Sequence, residues 1–445
     1  MYERNNTGTG LSEFRKSFGG KMKRFWQILY NICFIPLLYL SLIAISLLNK
    51  KVRIGIAGRK RIFEDLILNR LSFNPAKKVI WFHSSSLGEF EQAKPIIEKL
   101  KKETDVNIVV SFFSPSGYEN SKKYPYADII TYMPFDSKWR AKRFIDIVSP
   151  NMAVFMRYDI WPNHVWTLKE KKIPCLLVDA TMKKNSARKF PLAKSFHKYL
   201  FEDFAKILTV SSEDADGFAS FKCKNVQVKV VGDTRFDRVY NRSLASKNSK
   251  IIRQEILGNK NVLVAGSTWQ QDEDVLVPVF LKLMKYDNNA MMIIAPHEPS
   301  LLRLEKLENE FSGQTSFIRL SHINNYNGEK IIIVDSIGVL SILYNYADAA
   351  FIGGSFKINV HNVLEAAVYG IPVLFGPKIE NSQEAKNLVD AGGGFLINNK
   401  MEFYRELRKL FTNEQLLKKY GQNSLEFVNK HLGATDRIIK EIFGR

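Results

Sequence analysis

Short apolar runs alternate with amphipathic stretches along most of this chain. Val79–His83, Asn107–Phe113, Met152–Phe155, Cys175–Val178 and Ile207–Val210 are continuous rather than alternating in polarity. Such runs mark strands buried on both faces, as in parallel sheets. Between them, Glu89–Lys101, Trp139–Val148 and Val165–Lys172 have helical periodicity. After a polar, basic stretch at Tyr240–Lys250 the pattern restarts with Val262–Gly266, Met291–Ala295, Ile331–Val334, Ala349–Ile352 and Pro372–Phe375. Strand–helix repetition of this kind predicts an α/β fold of two Rossmann-like, doubly wound domains facing a central crevice. The expected divisions are a front region over 1–74, one domain over 75–234 and a second over 235–445. A helical tail over 402–443 closes the second.

The front breaks the pattern. Ile28–Leu48 is 21 residues without a formal charge, flanked by Lys21, Lys23 and Arg24 before and Lys50, Lys51 and Arg53 after. About 20 apolar residues cross a bilayer core, so an uncleaved N-terminal anchor over 28–48 is expected. A cleaved signal peptide would have a shorter apolar stretch and a small-residue cleavage site. A monotopic or buried helix is the other alternative, and basic residues on both flanks leave orientation open.

Charge sharpens this picture. The chain has 445 residues and a formal net charge of +20. Residues 1–74 hold 13 Lys/Arg against 4 Asp/Glu, so nine of those charges lie around the apolar run. Anionic membrane lipid is therefore an expected partner, with Arg59-Lys60-Arg61 suited to its headgroups. No RNA-binding fingerprint or aromatic-interleaved basic stripe is present, so nucleic acid is not expected. Cys33, Cys175 and Cys223 are widely spaced and lie in or beside apolar segments, which argues against zinc or a disulfide framework. Neither GxGxxG nor a P-loop occurs in a useful context.

Candidate chemistry gathers where the predicted strands end. His83-Ser84-Ser85-Ser86-Leu87-Gly88-Glu89 follows the first strand; Glu89 is either a proton acceptor or a first-turn Glu meeting the helix dipole. Ser114-Pro115-Ser116-Gly117 ends the second strand and is expected to shape the acceptor side with Ser86 and Gly88. Asp159-Ile160-Trp161-Pro162-Asn163 ends another, with Asp159 facing substrate or capping a helix. Gly232-Asp233-Thr234-Arg235-Phe236-Asp237 lies at the domain junction; Arg235 could hold a phosphate leaving group or pair with Asp237. Gly266-Ser267-Thr268 is a plausible phosphate turn, and Pro296-His297-Glu298-Pro299 ends the next strand. Finally, Gly353-Gly354-Ser355 breaks a strand ahead of a helix expected to open near His361. Such a helix start is an anion site or a turn capped for packing. Asn362 and Glu365, three apart, share a face.

These motifs, in this order and with Asp335-Ser336-Ile337-Gly338, resemble the 3-deoxy-D-manno-octulosonic acid (Kdo) transferases of lipopolysaccharide assembly. The resemblance runs from about Val79 to Gly394 and includes the anchor. It implies a GT-B glycosyltransferase moving Kdo from CMP-Kdo to a lipid A precursor. By position, Glu89 matches the general base, Asp159 an acidic residue before Trp-Pro-Asn, and Arg235 a cation commonly Lys. Pro296, His297, Gly338, Val339, Leu340, Asn362, Val363, Leu364 and Glu365 match CMP-binding positions. Ser267 and Thr268 join them in the phosphate grip. The chain departs from the pattern in four places. Asn359 and Val360 replace two glycines, His297 a common Arg, Val339 a Glu, and Arg157 an acidic residue.

The implied mechanism is inverting single displacement with no metal or cofactor. The donor is cytosolic, so the catalytic domains are expected to face the cytoplasm from the bacterial inner membrane. Two alternatives remain: a GT-B transferase using a UDP-sugar, and a non-catalytic protein binding anionic lipid or nucleic acid.

Overall fold

The computed structural model describes residues 20–246 and 249–444. The chain divides into two compact units, Met1–Thr234 with Gly433–Arg445, and Arg235–Leu432. Each is a twisted, wholly parallel sheet of seven strands covered by helices.

In the first unit, β1 (Lys78–Ser84), β2 (Val106–Phe112), β3 (Ile129–Tyr132), β4 (Met152–Met156), β5 (Cys175–Ala180), β6 (Lys206–Thr209) and β7 (Gln227–Val230) lie in the order β3-β2-β1-β4-β5-β6-β7. Strand order reverses between β1 and β4, and the carboxyl ends of that pair are where such sheets build sites. Trp81, Phe82, Val109, Val154 and Leu177 are fully buried, as expected of strands packed on both faces. The strands missed by the hydrophobic pattern, β3 and β7, are four residues long, and β7 is a polar-alternating edge strand.

In the second unit, β8 (Asn261–Thr268), β9 (Ala290–Pro296), β10 (Phe317–Arg319), β11 (Ile331–Ile333), β12 (Ala349–Ile352), β13 (Val373–Phe375) and β14 (Gly394–Leu396) run in the order β10-β11-β9-β8-β12-β13-β14. Here the switch lies between β8 and β12. Missed strands β10 and β14 are three-residue edges.

Two expectations change, and the apolar front helix gains a detail. Helix Ala434–Phe443, placed by sequence with the second domain, packs on the first unit, where Ile438, Ile439 and Ile442 join Leu100 and Val231 in one apolar core. Its strongly amphipathic face lies along the helix Leu87–Glu103.

The apolar front helix runs from Gly20 to Leu48 and is long and apolar enough to cross a membrane. Its first half, however, is docked on the unit. Lys23 pairs with Asp203 at 2.6 Å, Trp26 donates to Ser195, the Tyr30 hydroxyl donates to Asp136 at 2.8 Å, and Asn31 exchanges amide hydrogen bonds with Asn163. A π-turn at Tyr30–Phe34 lies within this docked stretch.

Arg59, expected at headgroups, is instead buried. Its guanidinium donates to the carbonyls of Gly55, Phe113 and Met133 and lies 4.7–4.8 Å from the rings of Phe113, Tyr132 and Phe135. A cation this short of water is stabilised by carbonyl dipoles and ring faces in place of hydration.

Candidate functional site

At the β1/β4 switch of the first unit, four side chains form a directed relay. Trp81 Nε1 can only donate, and its partner at 2.8 Å is Ser111 Oγ. The Ser111 hydroxyl hydrogen therefore points to His83 Nδ1, 2.9 Å away. That leaves the proton of His83 on Nε2, where it is donated to Asp159 Oδ2 at 2.9 Å. Trp161 Nε1 donates to the same oxygen at 3.1 Å. Burial pushes the Asp159 carboxyl up, but donors from His83, Trp161 and Ser85 hold it below the usual carboxylate range.

Glu89 stands in the first turn of helix Leu87–Glu103 and is only 8% exposed. Its Oε2 accepts the Ser85 N–H at 2.6 Å. Burial raises its carboxyl above the ordinary glutamate value. The Ser85 N–H opposes this, the Asp159 charge adds to it, and His83 and Arg157 lower it. Environment thus drives two carboxylates apart: Asp159 is held ionised, and Glu89 is tuned toward a proton-accepting range.

The other first-unit candidates frame this pair. Ser86 caps the Glu89 helix by position without a side-chain hydrogen bond. A Cβ on Gly88 would meet nothing within 4 Å, so that side is open. Ser114 N–H donates to Ser85 O at 2.8 Å, joining the β1 and β2 loops, while Ser114 Oγ caps Gly117 N–H and contacts Ser116 Oγ. Gly117 is required by packing, since a Cβ would lie 2.4 Å from the Phe112 ring. Nearby, Asp179 is buried and left-handed (φ 51°). Burial and the Asp233 charge raise its carboxyl to about 7, and the Thr234 hydroxyl donates to it.

The second-unit candidates also collect at a switch point. Gly353 N–H donates to Gly266 O at 2.9 Å, and a Cβ on Gly353 would sit 2.4 Å from Ser267 O. Ser267 itself is left-handed (φ 54°), at a break in the β8/β9 register. His297 N–H donates to Thr268 O, and Pro296 is buried at the end of β9. The His297 and His361 rings stack at 4.5 Å, and Trp269 Nε1 donates to His361 Nε2 at 3.0 Å. Lys357 Nζ lies 3.1 Å from the Trp269 ring centre.

Several expected roles change here. The helix expected near His361 is a single turn, Leu364–Ala367, so it has little dipole to offer an anion. Asn362 Oδ1 already accepts Leu364 N–H, and its amide reaches Glu365 at 3.4 Å. Val363 and Leu364 are core residues. The Gly354 N–H, a candidate phosphate donor, is taken by buried Asp272 at 2.8 Å; the same carboxylate accepts Trp269 and Phe356 N–H. The Thr268 hydroxyl donates to buried Glu273, whose carboxyl burial raises to about 7. Leu340 packs under Gly266; Val339 precedes it as the cap of a one-turn helix, and Gly338 has φ 90°.

Asn359 and Val360 have no left-handed backbone. The reversal is made at Gly354 (φ 95°), and Val360 is a buried core contact. Arg235 binds Glu384 through two N–H groups at 2.8 and 3.3 Å. Glu365 lies 3.6 Å from Arg242.

Burial and the nearby charges of His297 and Lys357 lower the His361 imidazole to about 4. The unfolded chain takes up this proton near pH 6.5, the folded chain only near 4, so stability falls as pH drops through that window. Chemical denaturation at about pH 7 and about pH 5 should show a falling midpoint for the second-unit transition, and His361→Asn should flatten the dependence. An unaltered slope in the variant would remove His361 as its source.

Residues 60–238 match the family model described as 3-deoxy-D-manno-octulosonic-acid transferase (kdotransferase). A 3-deoxy-D-manno-octulosonic acid transferase of Rickettsia bellii is 26% identical over 427 residues, covering 94% of this chain and 98% of that protein. The Aquifex aeolicus protein of the same name is 28% identical over 354 residues, covering 78% and 90%. A bifunctional glycosyltransferase/methyltransferase of Fusobacterium nucleatum is 28% identical over 365 residues; the match spans 79% of this chain and only 56% of that longer protein. Among solved structures, a UDP-GlcNAc 2-epimerase from Neisseria meningitidis bound to UDP-GlcNAc aligns with TM-score 0.58 at 14% identity, covering 83% of this chain and 100% of that one. At that identity the likeness shows the fold, a GT-B-like pair of α/β units.

Proposed function

This chain belongs to the 3-deoxy-D-manno-octulosonic acid transferase family, and from that premise we propose that it transfers Kdo from CMP-Kdo to a lipid A precursor with inversion. The observation that carries the proposal is buried Glu89, raised in pKa and held by Ser85 beside an ionised Asp159. A carboxylate so tuned accepts the proton of an acceptor hydroxyl as that oxygen attacks the anomeric carbon. Asp159, fixed by His83 and Trp161, orients the acceptor and keeps Glu89 basic. The bond to the CMP phosphate breaks as the new glycosidic bond forms.

For the donor, the second-unit switch point supplies Ser267, Pro296, His297, Asn362 and Glu365. Arg235 is the proposed cation for the departing phosphate, poised by Glu384. The stacked His297 and His361 rings offer a flat face suited to a base.

The membrane placement follows from the docked helix. Tyr39 is still held by Arg140 at 3.1 Å, and Arg59 is already buried in the same unit. The stretch between them leaves from and returns to one body. We therefore take the helix to enter one leaflet of the inner membrane without crossing it, with the catalytic units on the cytoplasmic side.

Incubation with CMP-Kdo and a tetraacylated lipid A precursor, read by mass spectrometry, should show an acceptor heavier by whole Kdo units. CMP, but not UDP, should compete. Competition by UDP alone would favour a UDP-sugar transferase. Salt-sensitive polynucleotide binding with no release of CMP would favour a binding protein.

A further inference from the structure

We propose that the cavity between helix Gly20–Leu48 and helix Pro191–Phe201 holds an acyl chain of the acceptor. The proposal rests on the lipid-acceptor reading above and gives that acceptor a second point of attachment.

The cavity is an open groove of about 1180 Å³ within the first unit. Its wall is apolar, made chiefly of Phe25, Leu29, Phe34, Leu37, Phe196 and Leu200. Apolar surface of this extent is unfavourable wherever water reaches it and is relieved by an apolar occupant. One end of the same cavity is lined by Asp159, Trp161 and Arg188. An apolar tail in it would therefore point its polar head at the carboxylate pair of the candidate site.

The surroundings match a lipid with an anionic head. Phe190 and Leu192 at the start of the second helix are 68% and 77% exposed. From Lys183 to Lys198 the chain has six Lys/Arg and no Asp or Glu. Apolar tips among basic residues are the pattern of a segment lying at a lipid interface. Arg188 is held over the cavity by donation to Tyr158 O at 2.9 Å. Burial lowers its guanidinium and the nearby Asp159 charge supports it, and a phosphate on the acceptor would give it a direct partner.

The test uses the full-length protein in lipid nanodiscs with two acceptors, the acylated precursor and its fully deacylated sugar. Ala193 lines the cavity, and Ala193→Trp should fill it. KM for the acylated acceptor should rise about tenfold or more, while kinetics with the deacylated acceptor stay within about twofold. Equal effects on both acceptors, or none on either, would overturn the proposal.

A second measurement needs no substitution. Cys33 lines the cavity and is exposed, whereas Cys175 is buried. The acylated acceptor should slow alkylation of Cys33, and the deacylated one should not. Alkylation indifferent to the acylated acceptor would overturn the proposal. So would a truncation of residues 1–19 that by itself speeds alkylation of Cys33, because the occupant would then be this chain. If the unaltered protein transfers Kdo to neither acceptor, the catalytic reading fails while Cys33 protection still judges the cavity.

Discussion

Replacing Glu89 by Gln should lower single-turnover transfer by about 10²- to 10⁴-fold, the usual range for a positioned general base. The amide oxygen can still accept the Ser85 N–H, so the local fold should hold and CMP binding should be unchanged. The pH profile adds a second check. A base works ionised, and burial raises the Glu89 carboxyl, so wild-type activity should fall as pH drops through a value above the ordinary glutamate range. The residual activity of the variant should lack that limb.

Stability should move the other way. A group whose folded pKa is raised is ionised more readily in the unfolded chain, so at neutral pH its ionisation opposes folding. Removing the charge should leave the denaturation midpoint the same or higher, the familiar cost of a tuned active-site group. Turnover within about tenfold of wild type would exclude Glu89 as the base.

The largest loss of stability should come from Asp136→Ala. Asp136 is 1% exposed and has no side-chain access to water. Its carboxylate accepts the Tyr30 hydroxyl at 2.8 Å, Asn163 N–H at 3.0 Å, His164 N–H at 3.2 Å and His164 Nδ1 at 2.6 Å. One residue thus joins the front helix to the start of helix Pro162–Glu170. Truncation strands four buried donors, and breaking such a network costs on the order of 3–5 kcal/mol. Urea denaturation should show that loss, and the front helix should become protease-sensitive before the unit unfolds. Asp136→Asn should recover part of it. A change below about 1 kcal/mol would mean that relaxation supplies other partners for these groups.

Asp136 also shows where sequence reasoning stops. The ends of β1, β4, β8 and β12 were legible because buried parallel strands are continuous apolar runs closed by Gly, Ser and Pro. The relay behind Asp159 was not. Ser111 and His83 lie 28 positions apart and His83 and Asp159 lie 76 apart, brought together only by strand order. Asp272 belongs to none of the motifs, yet it takes the N–H that a phosphate loop would have offered. Likewise, the helix near His361 is a single turn, opened by the Asn362 cap on Leu364 and ended by the left-handed Gly370 (φ 71°). Side-chain capture of backbone donors leaves little periodic signature.

The return of helix Ala434–Phe443 to the first unit has a consequence for synthesis. The second unit is, in chain terms, an insertion within the first. When a ribosome has made Thr234, all seven strands of the first sheet exist, but the helix that covers Leu100 and Val231 has yet to be translated. At about 5–20 residues per second, that apolar face waits on the order of 10–40 s for its cover. The first domain to be translated is therefore the last to be finished, and a nascent chain stalled in the second unit exposes a strip of core to whatever binds greasy surfaces.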